Sequence, residues 1–377
     1  MSIINLNNYL SFGPQIQIRS NNDTYSIIKY NKPYLTSNNI FTLGLYRSVI
    51  INKETGVVVC VSPSKSVSPE WFTNTYVPNS VVAEEFVEGT MINVFWDGVN
   101  QTWKINTKST VGAQCCYYVS QTFEEMFIDA CNFCNLQLDN LDKQLCYSFV
   151  LQHPNNRIVV KVPHPQIYLI SVYKIYSNTN IEYIELPDNN YDFRQLNMGF
   201  SNSSVQIPTR YTFTTYNELV ERFATNIKTP YNVLGIILRH GNIHCKIRNP
   251  TYLLVQMLRG TSPRIDYHYV WLRKNNKLAD FFIYFPEYKN EMLLLRNSLH
   301  AFTGQLFTNY VNCYIYKQNK IEYFNEVYQR HMKQLHKIYL YSLLPARKSI
   351  TKQIVIEYVN TLDIPLQVAA IKYNLQG

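Results

Sequence analysis

The chain has 377 residues, a formal net charge of +9 and 46% hydrophobic residues. This length allows two or three domains with a substantial core, and this hydrophobic content excludes an intrinsically disordered chain. The excess of basic residues favours a polyanionic partner such as nucleic acid. Residues 1–10 contain no basic region followed by an apolar core, and no apolar run approaches the roughly 20 residues of a membrane helix. We therefore expect a cytoplasmic protein without membrane contact.

The eight cysteines are expected to be reduced and mostly buried in such a compartment. Cys131 and Cys134 have the internal spacing of a zinc half-site, but no second pair of this kind follows. They also fall in a helix predicted at residues 123–141. Core packing is therefore the favoured interpretation, and no metal is expected.

Short β-branched and aromatic runs dominate the first 250 residues. They predict strands at residues 16–19, 25–29, 45–51, 57–61, 146–151, 158–162, 166–176, 233–238 and 244–248. The strands at 45–51 and 57–61 are expected to form a hairpin around a turn at 54–56. Apolar residues at helical spacing predict a further helix at residues 215–225.

Helical periodicity replaces strand alternation after residue 250, which indicates two domains, at residues 1–255 and 256–377. The clearest helix is predicted at residues 320–344. Arg330, Lys333 and Lys337 line one of its faces, which is either a solvated surface or a nucleic-acid contact.

Residues 84–98 read Glu-Glu-Phe-Val-Glu-Gly-Thr-Met-Ile-Asn-Val-Phe-Trp-Asp-Gly and predict a turn followed by a strand. Glu88 and Gly89 form the turn, and the strand ends at Asp97-Gly98. The segment resembles the Lys-x-Asp-Gly motif of the covalent nucleotidyltransferases, the ligases and capping enzymes. In that family the lysine amine attacks the α-phosphate of ATP or GTP and holds the nucleotide as a phosphoramidate. Phe86 occupies the lysine position here, and a phenyl ring has no lone pair to donate.

The order of the elements resembles the ATP-dependent RNA ligases of the phage tRNA-repair type over nearly the whole chain. Arg47 matches an arginine that contacts the nucleotide in that family. Residues 106–110, 154–160, 234–238 and 246–248 are similar to further family motifs, and Pro-Asn-Asn-Arg-Ile-Val-Val at 154–160 is the most specific. The resemblance implies an α+β fold: a nucleotidyltransferase-like (ligase adenylation) domain with antiparallel sheets, followed by an all-helical C-terminal domain.

Three departures from the family pattern fall at positions of the chemistry. Phe86 replaces the nucleophile, and Val150 and Leu234 replace two glutamates, the second of which is associated with the metal-dependent steps. Lys246 is retained, and Arg248 keeps the charge of a second motif lysine without its geometry. Because the three replacements are apolar, they indicate a filled, dry pocket rather than one that binds a triphosphate with Mg²⁺.

These departures predict a catalytically inactive RNA ligase-like protein that keeps an RNA-binding or assembly role and needs no cofactor or metal. RNA is the expected partner, and a protein is the second candidate. The side chains expected to contact RNA are basic: Arg47, Lys65, Arg157, Lys246, Arg248, Arg330, Lys333 and Lys337. Two alternatives stay open. One is an active ligase that uses ATP, Mg²⁺ and a displaced lysine, for example Lys104 or Lys108, and the other is a structural subunit that does not bind RNA.

Overall fold

A computed structural model describes residues 2–6, 8–20, 22–225 and 229–376 of the chain. The chain divides into two compact units, Met1–Gln256 and Met257–Gly377. The predicted α+β class, with antiparallel sheets followed by an all-helical region, is confirmed. The identities assigned to the domains at 1–255 and 256–377 stay predictions.

The first unit is built mainly of β-strands. They are β1 (Ser2–Ile4), β2 (Ile16–Arg19), β3 (Tyr25–Tyr30), β4 (Val49–Asn52), β5 (Val58–Val61), β6 (Val82–Glu85), β7 (Thr90–Asp97), β8 (Thr102–Thr107), β9 (Leu145–Gln152), β10 (Gln166–Ser177), β11 (Asn180–Ile184), β12 (Arg210–Tyr211), β13 (Gly235–His240) and β14 (Ile243–Arg248). Its helices are α1 (Pro69–Thr75), α2 (Phe123–Phe133), α3 (Asn190–Gln195), α4 (Tyr216–Val220) and α5 (Pro250–Arg259), the last of which crosses into the second unit.

The described strands pair in three antiparallel sheets. Their orders are β1-β11-β10-β9-β7-β8, β12-β6-β13-β14 and β2-β3-β4-β5. One face of the six-stranded sheet packs on α2 through rings such as Phe127 and Phe149, whose centroids are 5.5 Å apart. The opposite face shares a core with the β2–β5 sheet, where Tyr25 meets Phe95 edge-on. Burial of both faces explains the long apolar runs in β9 and β10.

The predicted hairpin between residues 45 and 61 forms, but its first strand is shorter than predicted. The Asn52 side chain accepts hydrogen bonds from the backbone N–H groups of Glu54 (2.9 Å) and Thr55 (3.1 Å), which closes the turn. The strand starts at Val49 because Leu43–Leu45 form a 3₁₀ turn instead. Arg47 therefore lies just before the strand rather than within it.

The stretch from Glu84 to Gly98 passes from one sheet to another. Its first residues end β6, its later residues form β7 as predicted, and residues 86–89 connect the two sheets. We call residues 86–89 the connector. Gly89 has φ of +152°, and a Cβ there would collide with the carbonyl oxygen of Leu151. Only glycine therefore lets the connector approach β9 this closely.

Two predicted elements in the first unit are wrong. The helix expected at residues 123–141 ends at Phe133, because Asn135 adopts a positive φ of 52° and the Leu136 N–H turns back to the Cys131 carbonyl. The strand expected at residues 158–162 does not form. The N–H groups of Val159 and Val160 instead donate to the carboxylate of Glu88, so they cannot join a ladder.

The second unit is helical. It contains α6 (Ile265–Lys274), α7 (Leu278–Tyr284), α8 (Lys289–Tyr310), α9 (Glu326–Ile338), α10 (Lys352–Thr361) and α11 (Ile364–Gln376). Helix α8 is central, since α6, α9, α10 and α11 all pack against it. It buries Leu295, Leu299, Phe302 and Leu306, which recur every three or four residues along one face.

The helix predicted at residues 320–344 starts later than expected. Ile321–Tyr323 form a 3₁₀ turn, and α9 begins after Asn325, whose side chain accepts the Val327 N–H at 3.0 Å. Asn325, which lies within the predicted segment, thus caps the N-terminus of α9. The apolar periodicity alone does not reveal this cap.

In the described residues, no single helix has the length and apolar composition needed to cross a membrane. The pair Lys352–Thr361 and Ile364–Leu375 meets both criteria only when taken together, and it is bent by 120°.

Candidate functional site

The connector forms one wall of a small cavity between the sheets of the first unit. The lining includes the apolar residues Phe86, Val87 and Val150 and the basic residues Arg47 and Lys246. The cavity leaves about 40 Å³ of free space. Small-molecule sites typically offer roughly 300 Å³ or more. The space is therefore nearly filled by side chains, too small for a nucleotide.

Phe86 is half-buried, and two cationic side chains lie over its ring. The Nζ of Lys246 lies 4.7 Å from the centroid of the ring, and the guanidinium of Arg248 lies 6.0 Å from it. The negative face of an aromatic ring attracts cations at such distances. The Phe86 backbone N–H donates to the Gly235 carbonyl at 3.2 Å, so the connector is tied to β13. Phe86 thus supports two basic side chains and offers no nucleophile.

The other two apolar replacements have different surroundings. Val150 packs with Val87 and Ile170 in a small apolar cluster beside the cavity. Leu234 is half-buried just before β13, and its carbonyl accepts the Asn249 N–H at 3.0 Å. The expectation of a filled, dry pocket stays a prediction, and the lining of the cavity also contains the basic residues Arg47, Arg239 and Lys246.

Glu84 lines the same cavity, but its charge is balanced by an ion pair with Arg239. Its Oε1 accepts from Nε (3.0 Å) and Nη2 (2.6 Å) of Arg239, and the two side chains are 8% and 6% exposed. Burial lowers the pKa of Arg239, but the Glu84 carboxylate, Tyr183 and Tyr173 outweigh it and raise that pKa overall. Glu84 is therefore a structural counter-ion rather than a free acid or metal ligand.

Glu88 is likewise committed to the fold. Its buried carboxylate accepts the N–H groups of Val159 and Val160 and a hydrogen bond from Tyr252. Burial raises its pKa, which these hydrogen bonds and Arg157 partly offset. Arg157, predicted to contact RNA, lies beside Glu88 and donates its Nε to the Val159 carbonyl at 3.0 Å. The Arg157 side chain therefore helps to fix the conformation of residues 157–160.

Four of the predicted RNA-contacting residues come together. Burial, and after it the positive charges of Arg47, Arg248 and Lys65, lowers the pKa of Lys246 to about 7. Burial and three nearby cations, Arg47, Arg248 and Lys32, also lower the pKa of Lys65. Lys246 and Arg248 lie on β14, Arg47 lies just before β4 and Lys65 lies in the loop after β5. The fold thus brings basic side chains from three segments close together.

Three further lysines extend this group. Burial, followed by the charges of Arg47, Lys29, Lys65 and Lys32, lowers the pKa of Lys108 to about 8. The Nζ of Lys29 donates to Ser109 Oγ at 2.7 Å, which links β3 to the turn that carries Lys108. We call the whole set the basic cluster: Lys29, Lys32, Arg47, Lys65, Lys108, Lys246 and Arg248. Across the described ranges, none of its members forms an ion pair with a carboxylate.

Sequence reasoning missed Lys29 and Lys32 and considered Lys108 only as a displaced nucleophile. These lysines are far from Lys246 along the chain, so their proximity follows from sheet packing. The alternative nucleophile Lys104 has a different position, with its Nζ 3.8 Å from the buried carboxylate of Asp97.

The three predicted basic residues of the second unit are exposed on α9. Arg330, Lys333 and Lys337 lie on its solvent side, whereas Tyr328 and Leu335 are buried on the other. No group of three or more His, Cys, Asp or Glu side chains that could hold a metal occurs among the residues that the structure describes. Cys131 and Cys134 are both buried in the α2 core.

No family model matches the chain. Among curated proteins, an RNA ligase of Rhodothermus phage RM378 is 23% identical over 259 residues, which cover 61% of this chain. The match covers only 57% of that relative's length. This similarity supports the resemblance to RNA ligases at low identity.

Solved structures with a similar trace are also ATP-dependent ligases. An archaeal ATP-dependent RNA ligase is 9% identical, with a TM-score of 0.41 and coverage of 70% of this chain and 64% of its own. A putative ATP-dependent DNA ligase from Aquifex aeolicus is 13% identical, with a TM-score of 0.39 and coverage of 79% of this chain and 77% of its own.

Proposed function

We propose that this chain is a catalytically inactive RNA ligase-like protein that binds RNA through the basic cluster. The observation that carries the proposal is the proximity of seven basic side chains that form no ion pair with a carboxylate in the described residues. Two of them, Arg47 and Lys246, line the nearly filled cavity. The proposal includes a nucleotidyltransferase-type first domain and a cytoplasmic setting. All eight cysteines are free, as is usual in a reducing compartment.

The cavity supports the proposed absence of nucleotidyl transfer. A covalent nucleotide requires a nucleophile, room for the base and ribose, and carboxylates for the metal. Phe86 supplies no nucleophile, the free space is about 40 Å³, and Glu84 is neutralised by Arg239. The proposed protein therefore uses neither ATP nor Mg²⁺ as a cofactor.

The electrostatics of the cluster support the proposed RNA binding. Burial lowers the pKa values of Lys246 and Lys108 most, and repulsion by the neighbouring positive charges lowers them further. A polyanion removes the repulsion and releases its own condensed counterions on binding. A chain of phosphates suits a cluster spread over β3, β14 and two loops better than a single small anion.

One observation favours the active alternative. Lys108 has a pKa lowered to about 8, so part of its amine is unprotonated near neutral pH, as a nucleophile requires. The two functions differ in a direct assay. Intact-mass measurement after incubation with ATP and Mg²⁺ should show no added AMP. An adduct lost in Lys108→Gln would support the displaced-lysine ligase and contradict inactivity.

RNA binding is tested by the salt dependence of affinity. Lys65→Gln and Arg248→Gln should each reduce the slope of log affinity against log salt by about one unit. Lys53→Gln is the matched control, because Lys53 follows β4 at the end opposite Arg47. Replacing Arg330, Lys333 and Lys337 together with Gln should weaken binding without changing sequence preference. A wild-type protein that shows no salt-dependent RNA binding at low ionic strength would refute the proposal and favour a purely structural subunit with a protein partner.

A further inference from the structure

An exposed aromatic pair adjoins the basic cluster. The rings of Phe41 and Trp71 have centroids 4.8 Å apart, and the two side chains are 42% and 37% exposed. Trp71 in turn meets Tyr76 edge-on at 6.0 Å, and Tyr76 stacks on His240 at 4.2 Å. Phe41 and Trp71 are thus the exposed end of a row of packed rings that continues through Tyr76 to His240.

Packing around Gly44 places this pair next to the cations. A Cβ at Gly44 would lie 3.2 Å from Ile40 Cγ1 and 3.4 Å from Lys65 Cβ, so these two side chains meet over the same residue. Phe41 directly follows Ile40, and α1, which carries Trp71, begins four residues after Lys65. The Lys65 N–H also donates to the Gly44 carbonyl at 2.9 Å. The aromatic pair and the Lys65 side of the cluster therefore share one edge of the unit.

A third exposed ring, Tyr34, lies beside a lysine of the cluster. Lys32 and Tyr34 belong to one 3₁₀ turn, Tyr34 is 44% exposed, and the charge of Lys32 acts on Lys65. Exposed rings interleaved with lysines match the needs of a nucleotide chain, because phosphates bind the cations while each base presents an apolar face. Glu70, next to Trp71, disfavours phosphate on its own side and leaves the Lys65 side for the backbone.

We propose that Phe41 and Trp71 form a stacking platform for an unpaired base, so that the RNA partner is single-stranded along this edge. This inference rests on the proposed function and narrows its substrate class. Bases inside a duplex are stacked on each other and cannot cover a protein ring, whereas a single strand can turn a base outward. Because every base has an aromatic face, the platform accepts any sequence.

The test compares single-stranded and duplex RNA of about 12 nucleotides, a length within the span of common single-strand sites. Trp71→Ala and Phe41→Ala should each weaken single-strand binding about tenfold, with an unchanged salt slope, because stacking releases no counterions. Trp71→Phe keeps a ring and should retain most of the affinity. Tyr191→Ala is the matched control, since Tyr191 is 73% exposed on α3. Duplex affinity should be the same in all variants.

The outcomes separate the two proposals. If Lys65→Gln lowers the salt slope but neither Trp71→Ala nor Phe41→Ala weakens single-strand binding, the platform is refuted and RNA binding stands. Equal losses for single strand and duplex would also refute the platform. If the wild type binds neither RNA in a salt-dependent way, the proposed function fails and the platform fails with it. Phe41→Ala decides the matter if Trp71→Ala does not fold, because Phe41 lies in a surface turn outside α1.

Discussion

Replacing Glu84 with Gln should destabilise the first unit strongly, because it leaves the Arg239 guanidinium buried without a counter-charge. Gln keeps the shape of the side chain and one oxygen that can accept a hydrogen bond, so the change removes mainly the charge. Arg239 is 5% exposed and lies 5.7 Å from the ring of Tyr183, so water cannot replace the carboxylate. Removing one member of a buried ion pair typically costs about 3–5 kcal/mol.

The free energy of unfolding is measured from urea transitions followed by tryptophan emission. Trp71, Trp96 and Trp103 report on the first unit, and Trp271 reports on the second. We expect the early transition in Glu84→Gln to be confined to the signal of the first three. The control is Glu84→Gln combined with Arg239→Met, which removes both charges and should recover much of the lost stability.

Two results would contradict this reasoning. A loss below about 1 kcal/mol would place the pair in the range of solvent-exposed ion pairs, against the burial seen here. A double variant no more stable than Glu84→Gln would mean that the shape of the pair, rather than its charge balance, holds β6 to β13.

Three further predictions concern the connector and the cluster. The pKa of Lys246 is lowered from 10.5 to about 7 in the folded chain, so between these pH values the unfolded chain binds more protons than the folded one. The free energy of unfolding in urea should therefore rise with pH across this window. Lys246→Met should flatten that rise. Glu88→Gln should cost about 2 kcal/mol in thermal melts, because an amide cannot accept the Val159 and Val160 N–H groups as well as a carboxylate; an unchanged melting temperature would contradict this assignment. Gly235→Ala should destabilise the first unit by more than about 2 kcal/mol, since φ is +137° and a Cβ would collide with the Ile247 carbonyl oxygen, whereas Gly98→Ala, with no atom within 4 Å of the new Cβ, should be nearly neutral.

Local sequence patterns were sufficient for most strands. Short β-branched and aromatic runs predicted β2, β3, β9 and β14 close to their observed bounds. The identity of residue 86 excludes a lysine nucleophile at that position without any coordinates. These features depend on a side chain's own chemistry or on its nearest neighbours, which the sequence lists directly.

The role of each charged residue was decided only by tertiary structure. Glu84 and Arg239 form their ion pair across 155 residues of sequence. Glu88 accepts hydrogen bonds from backbone N–H groups in residues 158–162, where the apolar pattern predicted a strand. Lys29 and Lys32 lie near Lys108, and Lys32 lies near Lys65, only because distant segments of the chain fold together. A charge in the sequence has a known sign, but its partner, its burial and therefore its energy depend on which distant segments the fold brings within a few ångströms.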